Sequence, residues 1–150
     1  MAQPLISIIT PSYNRSAFIA QAVESVLAQD SKDFEHIVVD AVSTDGTLEI
    51  LKKYPHLRVL SEPDRGMYDA INKGIALARG HYIARMDADD RCHPERFARQ
   101  VARLAHIHVV QFPVGEGHGD GLGYSAPRRF NRCIGEHLLR CRGLVREAGE

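Results

Sequence analysis

The first 104 residues of the chain alternate four times between a short apolar run and a segment with helical periodicity. The apolar runs are rich in isoleucine, valine and leucine, which is typical of strands buried on both faces of a sheet. This alternation predicts an α/β, Rossmann-like fold with a mostly parallel sheet, right-handed crossovers and helices on both faces. Ser16 is the expected N-cap of the first helix, and Pro94 is expected to open the fourth. The predicted strands are residues 5–10, 34–39, 57–60 and 81–86, and the predicted helices are residues 16–29, 48–54, 67–78 and 94–104.

Composition limits the partners that the chain is expected to have. The 150 residues suffice for one ordinary domain, and 19 basic residues balance 19 acidic ones. A chain without net charge has no global field that attracts nucleic acid or an anionic membrane. The chain contains no run of about 18 apolar residues, the length that a membrane-spanning helix needs. Its three cysteines include no close-spaced pair, which suits a reducing compartment. We expect no nucleic-acid partner, no transmembrane segment and a cytoplasmic location, with the inner face of the membrane as the alternative.

Residues 105–150 differ in pattern from the rest of the chain. Glycines occupy every second position from Gly115 to Gly123, and the only helical signal is a weak one over residues 134–145. Such a composition is typical of a segment that folds poorly. We therefore expect a folded domain over residues 1–104, followed by a divergent or truncated segment over residues 105–150 that leaves the fold incomplete at its C-terminal end.

The loops after the four predicted strands are polar, and their position predicts a site. In open parallel sheets, ligands bind beyond the carboxyl ends of the strands, where loops and helix N-termini converge. A tyrosine, an arginine and several carboxylates on one edge would suit a ligand with a flat ring, phosphates and a divalent cation. These loop residues are Tyr13, Asp40, Arg65, Asp87, Asp89 and Asp90.

Each candidate residue also has a purely structural interpretation. Asp87 and Asp89 suit a hard cation such as Mg²⁺ or Mn²⁺, or they belong to an acidic turn in which Asp89 or Asp90 caps the next helix. Asp40 would accept hydrogen bonds from a nucleobase, or it would close an Asx-type turn. Tyr13 would stack on the base or pack locally. Arg65 would pair with a diphosphate or join a solvated charge cluster.

Four motifs, in this order, resemble one protein family. They are "ISIITPSYNR", "VVDAVSTDGT", "SEPDRGMYDAINKGIALARG", and "MDADD" followed by "HPERFARQ". Over about residues 4–104 the chain resembles the nucleotide-sugar-binding half of the family 2 glycosyltransferases of the GT-A fold. The resemblance implies that Pro11, Tyr13 and Asp40 hold the nucleoside of the donor.

The resemblance also implies positions for the diphosphate, the sugar and a metal. The "DRG" loop and the "AxNxG" helix place Arg65, Asn72 and Gly74 near the donor. In the "DxD" motif, Asp87 and Asp89 hold Mg²⁺ or Mn²⁺ together with the donor. Asp90 is an alternative metal ligand, because the third aspartate ends the motif. When bound, the metal bridges the diphosphate and stabilises the charge of the leaving nucleotide.

The implied activity is sugar transfer with inversion, from a nucleotide diphosphate sugar to an acceptor hydroxyl, in polysaccharide or glycoconjugate biosynthesis. A UDP-sugar is the favoured donor, and the acceptor is an unknown glycan or a lipid-linked molecule. The general base is not identified, so the alternative is a catalytically incomplete fragment that binds nucleotide sugars. One departure from the family pattern is the pair Ala41 and Val42. Because a β-branched residue is poorly suited to a positive φ, we expect the loop to differ in shape there.

Overall fold

The computed structural model describes residues 3–104 and 139–140, where strands and helices alternate along the chain. All four predicted strands and all four predicted helices are present, and the strand ends lie within about two residues of the prediction. The strands are β1 (Ile6–Ser12), β2 (Phe34–Asp40), β3 (Leu57–Ser61), β4 (Tyr82–Arg85) and β5 (Leu139–Arg140). The helices are α1 (Ile19–Leu27), α2 (Thr47–Leu51), α3 (Met67–Leu77) and α4 (Arg96–Leu104).

The strands form one sheet in the order β3-β2-β1-β4-β5. β1 runs parallel to both β2 and β4, and β2 runs parallel to β3. β5 pairs antiparallel with β4, so the prediction of a mostly parallel sheet is confirmed. Since parallel strands end at the same side of a sheet, the last residues of β1 to β4 form one border. We call this border, formed by Ser12, Asp40, Ser61 and Arg85, the carboxyl edge.

Helices cover both faces of the sheet, as the alternation predicted. On one face, α1, α2 and α4 bury two apolar clusters against the strands, and Phe97 of α4 is fully buried in one of them. On the opposite face, α3 packs Ala70 against Ile37 and Val39 of β2. Burial on both faces explains why β1 and β2 are buried at almost every position instead of alternating.

Glycines allow α3 and the chain after it to lie very close to β1. A Cβ atom at Gly74 would lie 2.4 Å from Cγ2 of Ile9, and one at Gly80 would lie 2.5 Å from the backbone nitrogen of Ser7. A glycine inside a helix costs about 1 kcal/mol relative to alanine. The glycine at position 74 is therefore explained by close packing of the helix on the sheet.

Three local predictions differ from the structure. Ser16 does not cap α1: Phe18 occupies the N-cap without a side-chain hydrogen bond, and the Ser16 backbone N–H donates to a carboxylate oxygen of Asp45 over 2.9 Å. α4 begins at Arg96, and Pro94 lies in the preceding turn. Residues 139–140, predicted as part of a weak helix, form β5, because the outer edge of β4 offers unpaired backbone groups. None of the helices in the described ranges is long and apolar enough to cross a membrane.

Candidate functional site at the carboxyl edge

Hydrogen bonds from the "STDGT" segment hold the loop that follows β1. The backbone N–H of Asn14 donates to Oγ of Ser43 over 2.8 Å. The side-chain oxygen of Asn14 accepts the N–H of Thr44 over 3.0 Å. Asn14 has a positive φ of 50°, a conformation that asparagine tolerates better than most residues. The first and second loops of the edge are thus one connected unit.

The same segment also fixes the backbone just before α1. The N–H of Arg15 donates to Oγ1 of Thr47 over 2.9 Å, and the N–H of Ser16 donates to Asp45. Hydrogen bonds from the Thr47 hydroxyl and then from the Ser16 backbone hold the pKa of the Asp45 carboxyl well below its usual range. Asp45 therefore stays ionised and keeps the first loop in place across the physiological pH range.

Asp40, a predicted nucleoside ligand, is fully buried at the end of β2. One carboxylate oxygen accepts the Ser43 hydroxyl over 2.5 Å, and the other accepts the Ser43 N–H over 2.8 Å and the Ser61 hydroxyl over 3.3 Å. A carboxylate has about four acceptor positions, so these bonds use about three of them. Asp40 thus closes the turn after β2, which is the structural role considered for it.

Two neighbours of Asp40 are unusual for their position. Ser12 lies opposite Asp40 in the β1–β2 register, and its buried hydroxyl has no hydrogen-bond partner among the described residues. Val42 has a φ of 56° and is exposed. A non-glycine residue in this left-handed region costs about 1–3 kcal/mol. Val42 thus adopts the positive φ to which a β-branched residue is poorly suited, so the reason given for a different loop shape does not hold, and the strain lies directly beside the site.

Two of the three aspartates after β4 are paired with arginines. Nε and Nη2 of Arg85 each donate to a different carboxylate oxygen of Asp87, and both distances are 2.8 Å. Asp89 is half exposed and lies 3.6 Å from Nε of Arg15, which comes from the loop after β1. The Asp90 N–H donates to the carbonyl of Asp87 over 3.1 Å and closes a turn. The ion pair of Arg15 with Asp89 brings the first and fourth loops of the edge together.

The predicted alternative, a helix cap at Asp89 or Asp90, is wrong. α4 begins several residues later, at Arg96, after residues 90–93, which have no regular secondary structure, and a turn at residues 94–95. Within the described ranges, no group of three or more acidic, histidine or cysteine side chains is arranged to hold a metal ion. A metal at this position would therefore rest on one or two carboxylates plus oxygen atoms of the ligand.

The third loop is shaped by charges at the start of α3. Arg65 is 91% exposed and lies 3.6 Å from Asp69. Lys73 reaches back to Glu62 over 2.9 Å, and this hydrogen bond raises the pKa of Lys73. The Arg65 backbone N–H donates to Asp69 and lowers the pKa of that carboxyl.

The remaining predicted positions differ in how far they can meet a ligand. Tyr13 is 59% exposed in the first loop. Asn72 is exposed on α3, and Pro11 is half-buried in β1. Gly74 is buried against Ile9, so packing explains this glycine without any contact to a ligand.

Sequence reasoning missed the two arginines of the site. Arg85 is a charged residue inside an apolar strand, two positions before an aspartate, and that pattern was a usable signal. Arg15 carried no comparable signal, because its contact with Asp89 spans most of the domain.

Comparison with known proteins identifies the family. The family model described as glycosyl transferase family 2 matches residues 7–144. The PGL/p-HBAD biosynthesis glycosyltransferase of Mycobacterium tuberculosis is 34% identical over 154 aligned positions, which cover 99% of this chain and 59% of that protein. The chain covers 41% and 14% of two relatives from Bacillus subtilis and Escherichia coli, so it spans well under two thirds of these proteins.

Solved structures of similar proteins agree in fold. TarS of S. aureus in complex with UDP-GlcNAc superposes with a TM-score of 0.64 at 28% identity, over 77% of this chain and 37% of TarS. The mannosyltransferase PcManGT of Pyrobaculum calidifontis, in complex with GDP-Man and Mn²⁺, superposes with a TM-score of 0.63 at 29% identity, over 69% of this chain and 33% of that one. The expected GT-A fold is confirmed. The chain belongs to glycosyl transferase family 2.

Proposed function

We propose that this chain binds a nucleotide diphosphate sugar and a divalent cation at the carboxyl edge and transfers the sugar to an acceptor hydroxyl, in polysaccharide or glycoconjugate biosynthesis. The observation that carries the proposal is the contact of Arg15 with Asp89, which joins a cationic and an anionic side chain across the edge. Both side chains are about half exposed, and such a pair contributes only about 0–1 kcal/mol. A cation at Asp89 and a diphosphate at Arg15 would replace this pair at little cost.

The carboxylates after β4 fit Mg²⁺ or Mn²⁺ by their chemistry. Both ions prefer oxygen ligands and are commonly held by one or two carboxylates together with phosphate oxygens. Asp89 is the principal ligand that we propose, and Asp87 and Asp90 are further candidates. When bound, the cation neutralises charge on the diphosphate as the nucleotide leaves. Mn²⁺ is present with GDP-Man in the similar mannosyltransferase structure, which supports this part of the proposal.

The nucleoside would lie against the first and second loops. Tyr13 offers an exposed ring for stacking, and Pro11 borders it in β1. Asp40 is among the proposed nucleoside ligands because the hydrogen bond it accepts from the Ser61 hydroxyl is the longest of its three, and Ser61 is exposed. A hydrogen-bond donor of the nucleobase would replace the Ser61 hydroxyl there. The unpartnered Ser12 hydroxyl is a second group available at this position. We favour a UDP-sugar, and a guanosine donor is the alternative that the experiment below distinguishes.

The diphosphate and sugar would face the start of α3. The Arg65 side chain is almost fully exposed, and its 3.6 Å pair with Asp69 leaves it able to reach a phosphate. Asn72 lies on the exposed side of the same helix and would contact the sugar. The backbone of the third loop is meanwhile held by Asp69 and Lys73, so Arg65 would reorient without rearranging the loop.

In the proposed transfer, the oxygen of an acceptor hydroxyl forms a bond to the anomeric carbon. The bond from that carbon to the diphosphate breaks, the nucleoside diphosphate leaves with the electron pair, and the acceptor proton passes to a base. Direct attack from the opposite face inverts the anomeric configuration. The base is not assigned. Glu116, Asp120 and Glu136 are carboxylates in residues 105–150 that could serve as the base, and they lie outside the described residues. We propose a glycan or lipid-linked acceptor and a cytoplasmic location.

Donor binding would be tested by titration calorimetry with UDP- and GDP-sugars, in Mn²⁺ and in a metal chelator. The variants are Asp89→Ala and a matched control, Asp30→Ala, which removes an exposed carboxylate from the loop before β2, at the opposite border of the sheet. We expect metal-dependent binding by the native chain, loss of at least about tenfold in affinity for Asp89→Ala, and no change for Asp30→Ala. Equal binding in Mn²⁺ and chelator would contradict the metal assignment.

Release of nucleoside diphosphate in the presence of candidate acceptors would test transfer. Acceptor-dependent release of nucleoside diphosphate would support the proposal that this chain is an active glycosyltransferase. Metal-dependent binding without transfer or donor hydrolysis supports the alternative, a catalytically incomplete donor-binding fragment. Absence of nucleotide-sugar binding by the folded native chain would overturn both.

A further inference from the structure

Arg85 is placed differently from the other charged residues of the carboxyl edge. It is the last residue of β4, paired in register with Ile9 of β1, and its side chain is only 23% exposed. Its guanidinium contacts Asp87 through two nitrogens: Nε donates to Oδ1 over 2.8 Å, and Nη2 lies 2.7 Å from Oδ1 and 2.8 Å from Oδ2. Its Nη2 also lies 3.1 Å from Sδ of Met67, the first residue of α3. Arg85 thus connects β4, Asp87 and the start of α3.

The two aspartates of the "DxD" motif are held in different ways. The contact from Arg85 to Asp87 is charge-assisted and uses two guanidinium nitrogens, Nε and Nη2, which restricts both the position and the orientation of the carboxylate. Asp89 has a single, longer contact with Arg15, and its side chain is 50% exposed. Asp87 is neutralised by its own arginine before any ligand arrives, whereas the charge of Asp89 is available to an added cation.

We propose that Arg85 is a positioning residue that holds Asp87 for contact with the donor and leaves the divalent cation to Asp89. This inference rests on the proposed function and refines it, because it separates the roles of two aspartates that the motif treats alike. A lysine cannot replace Arg85 fully, since an ammonium group is a point charge and lacks the planar fork.

Two simpler roles for Arg85 must be distinguished from positioning. Arg85 would balance negative charge near the donor, or it would only strengthen the end of β4. Arg91 provides a matched control for charge, because it is an exposed arginine that directly follows the three aspartates. A double-mutant cycle with Asp87 distinguishes positioning from a general effect on the fold, because a residue that acts through Asp87 has no effect once Asp87 is removed.

The experiment measures the affinity for a nucleotide sugar in Mn²⁺, and separately for Mn²⁺ alone by its EPR signal. The variants are R85A, R85K, D87A, R85A/D87A and R91A, each first checked for its urea unfolding midpoint. We expect R85A and D87A to weaken nucleotide-sugar binding by about tenfold. R85K should recover part of the loss, the double variant should equal D87A, and R91A should match the native chain. If R85A does not fold, R85M keeps the apolar stem of the side chain and takes its place.

Each remaining outcome has a defined meaning. Mn²⁺ binding that is tighter in R85A than in the native chain would overturn the separation of roles, because it would show that Arg85 competes with the metal for Asp87. If R91A loses as much nucleotide-sugar affinity as R85A, Arg85 acts only through its positive charge and not by positioning Asp87. If D87A, and the Asp89→Ala variant of the donor-binding experiment, both bind donor like the native chain, the proposed function itself fails. If D87A weakens binding and R85A does not, only the role of Arg85 fails.

Discussion

His36 should make the stability of this domain depend on pH well above the range in which carboxylates titrate. The side chain is 1% exposed in the middle of β2. Its Nε2 lies 2.9 Å from the Thr10 hydroxyl, and its Nδ1 has no partner among the described residues. Burial, and then the nearby charge of His56, lowers the pKa of His36 from 6.5 to about 3. The folded protein therefore keeps this imidazole neutral under conditions in which the unfolded chain protonates it.

The sign and size of the effect follow from proton linkage. Below pH 6.5 the unfolded chain binds a proton at His36 that the folded protein binds only near pH 3, so the free energy of unfolding decreases as the pH falls through this window. Each pH unit below the unfolded pKa removes about 1.4 kcal/mol. We expect a loss of about 2 kcal/mol between about pH 7.5 and about pH 5 from this residue alone. Such a loss is a large fraction of the stability of an ordinary domain, which is about 5–15 kcal/mol.

Urea unfolding followed by circular dichroism at the two pH values would measure this loss. His36→Gln is the informative variant, because a glutamine amide can still bond to the Thr10 hydroxyl and does not titrate. His81→Gln is the matched control, since it removes an exposed histidine. The native chain and His81→Gln should lose stability equally as the pH falls, and His36→Gln should lose about 2 kcal/mol less. An identical loss in His36→Gln and the native chain would refute the reasoning, whatever the absolute stabilities.

Two further substitutions test the packing and strain that the structure shows. Gly74→Ala should destabilise the domain by about 1–3 kcal/mol in urea unfolding, because the new Cβ meets the Ile9 side chain. Combined with Ile9→Ala it should cost less than the two single changes together, and strict additivity would contradict the packing explanation. Val42→Gly should raise the stability by about 1 kcal/mol, because glycine adopts a positive φ without strain. A lower unfolding midpoint for Val42→Gly would mean that its side chain stabilises the loop more than its backbone strains it.

The strands were predictable because burial on both faces leaves a direct mark on the sequence. β1 and β2 are mainly apolar and buried at almost every position, as expected of parallel strands between two helical layers. The N-cap of α1 was not predictable from local sequence. Ser16 has the residue type of a cap, but its backbone N–H is taken by Asp45, which comes from the next loop. Local propensity was overridden there by a contact between residues far apart in the chain.

Buried charges were the other limit of sequence reasoning. Glu35 lies inside a run that reads as apolar, and it is only 8% exposed. Burial raises its pKa, but hydrogen bonds from Ser7, from the Arg79 backbone and from Arg58 outweigh burial and lower it. These partners come from other elements of the fold, and Arg79 is 44 residues away. Periodicity identifies a position as buried, whereas the partner of a charge at that position depends on the tertiary fold.

The same limit governs the site. Order along the chain was enough to bring the four loops to one edge, because parallel strands end together. It was not enough to pair the charges within that edge. The sequence shows adjacent aspartates, whose like charges repel one another, without showing their partners. In the structure, Arg85 and Arg15 supply the opposing charges. The charges of Asp87 and Asp89 are therefore compensated even without a metal. The Arg85–Asp87 pair is less exposed and makes two hydrogen bonds, whereas the Arg15–Asp89 pair is more exposed and longer, and it follows that a cation entering this edge would displace Arg15 from Asp89 before it displaced Arg85 from Asp87.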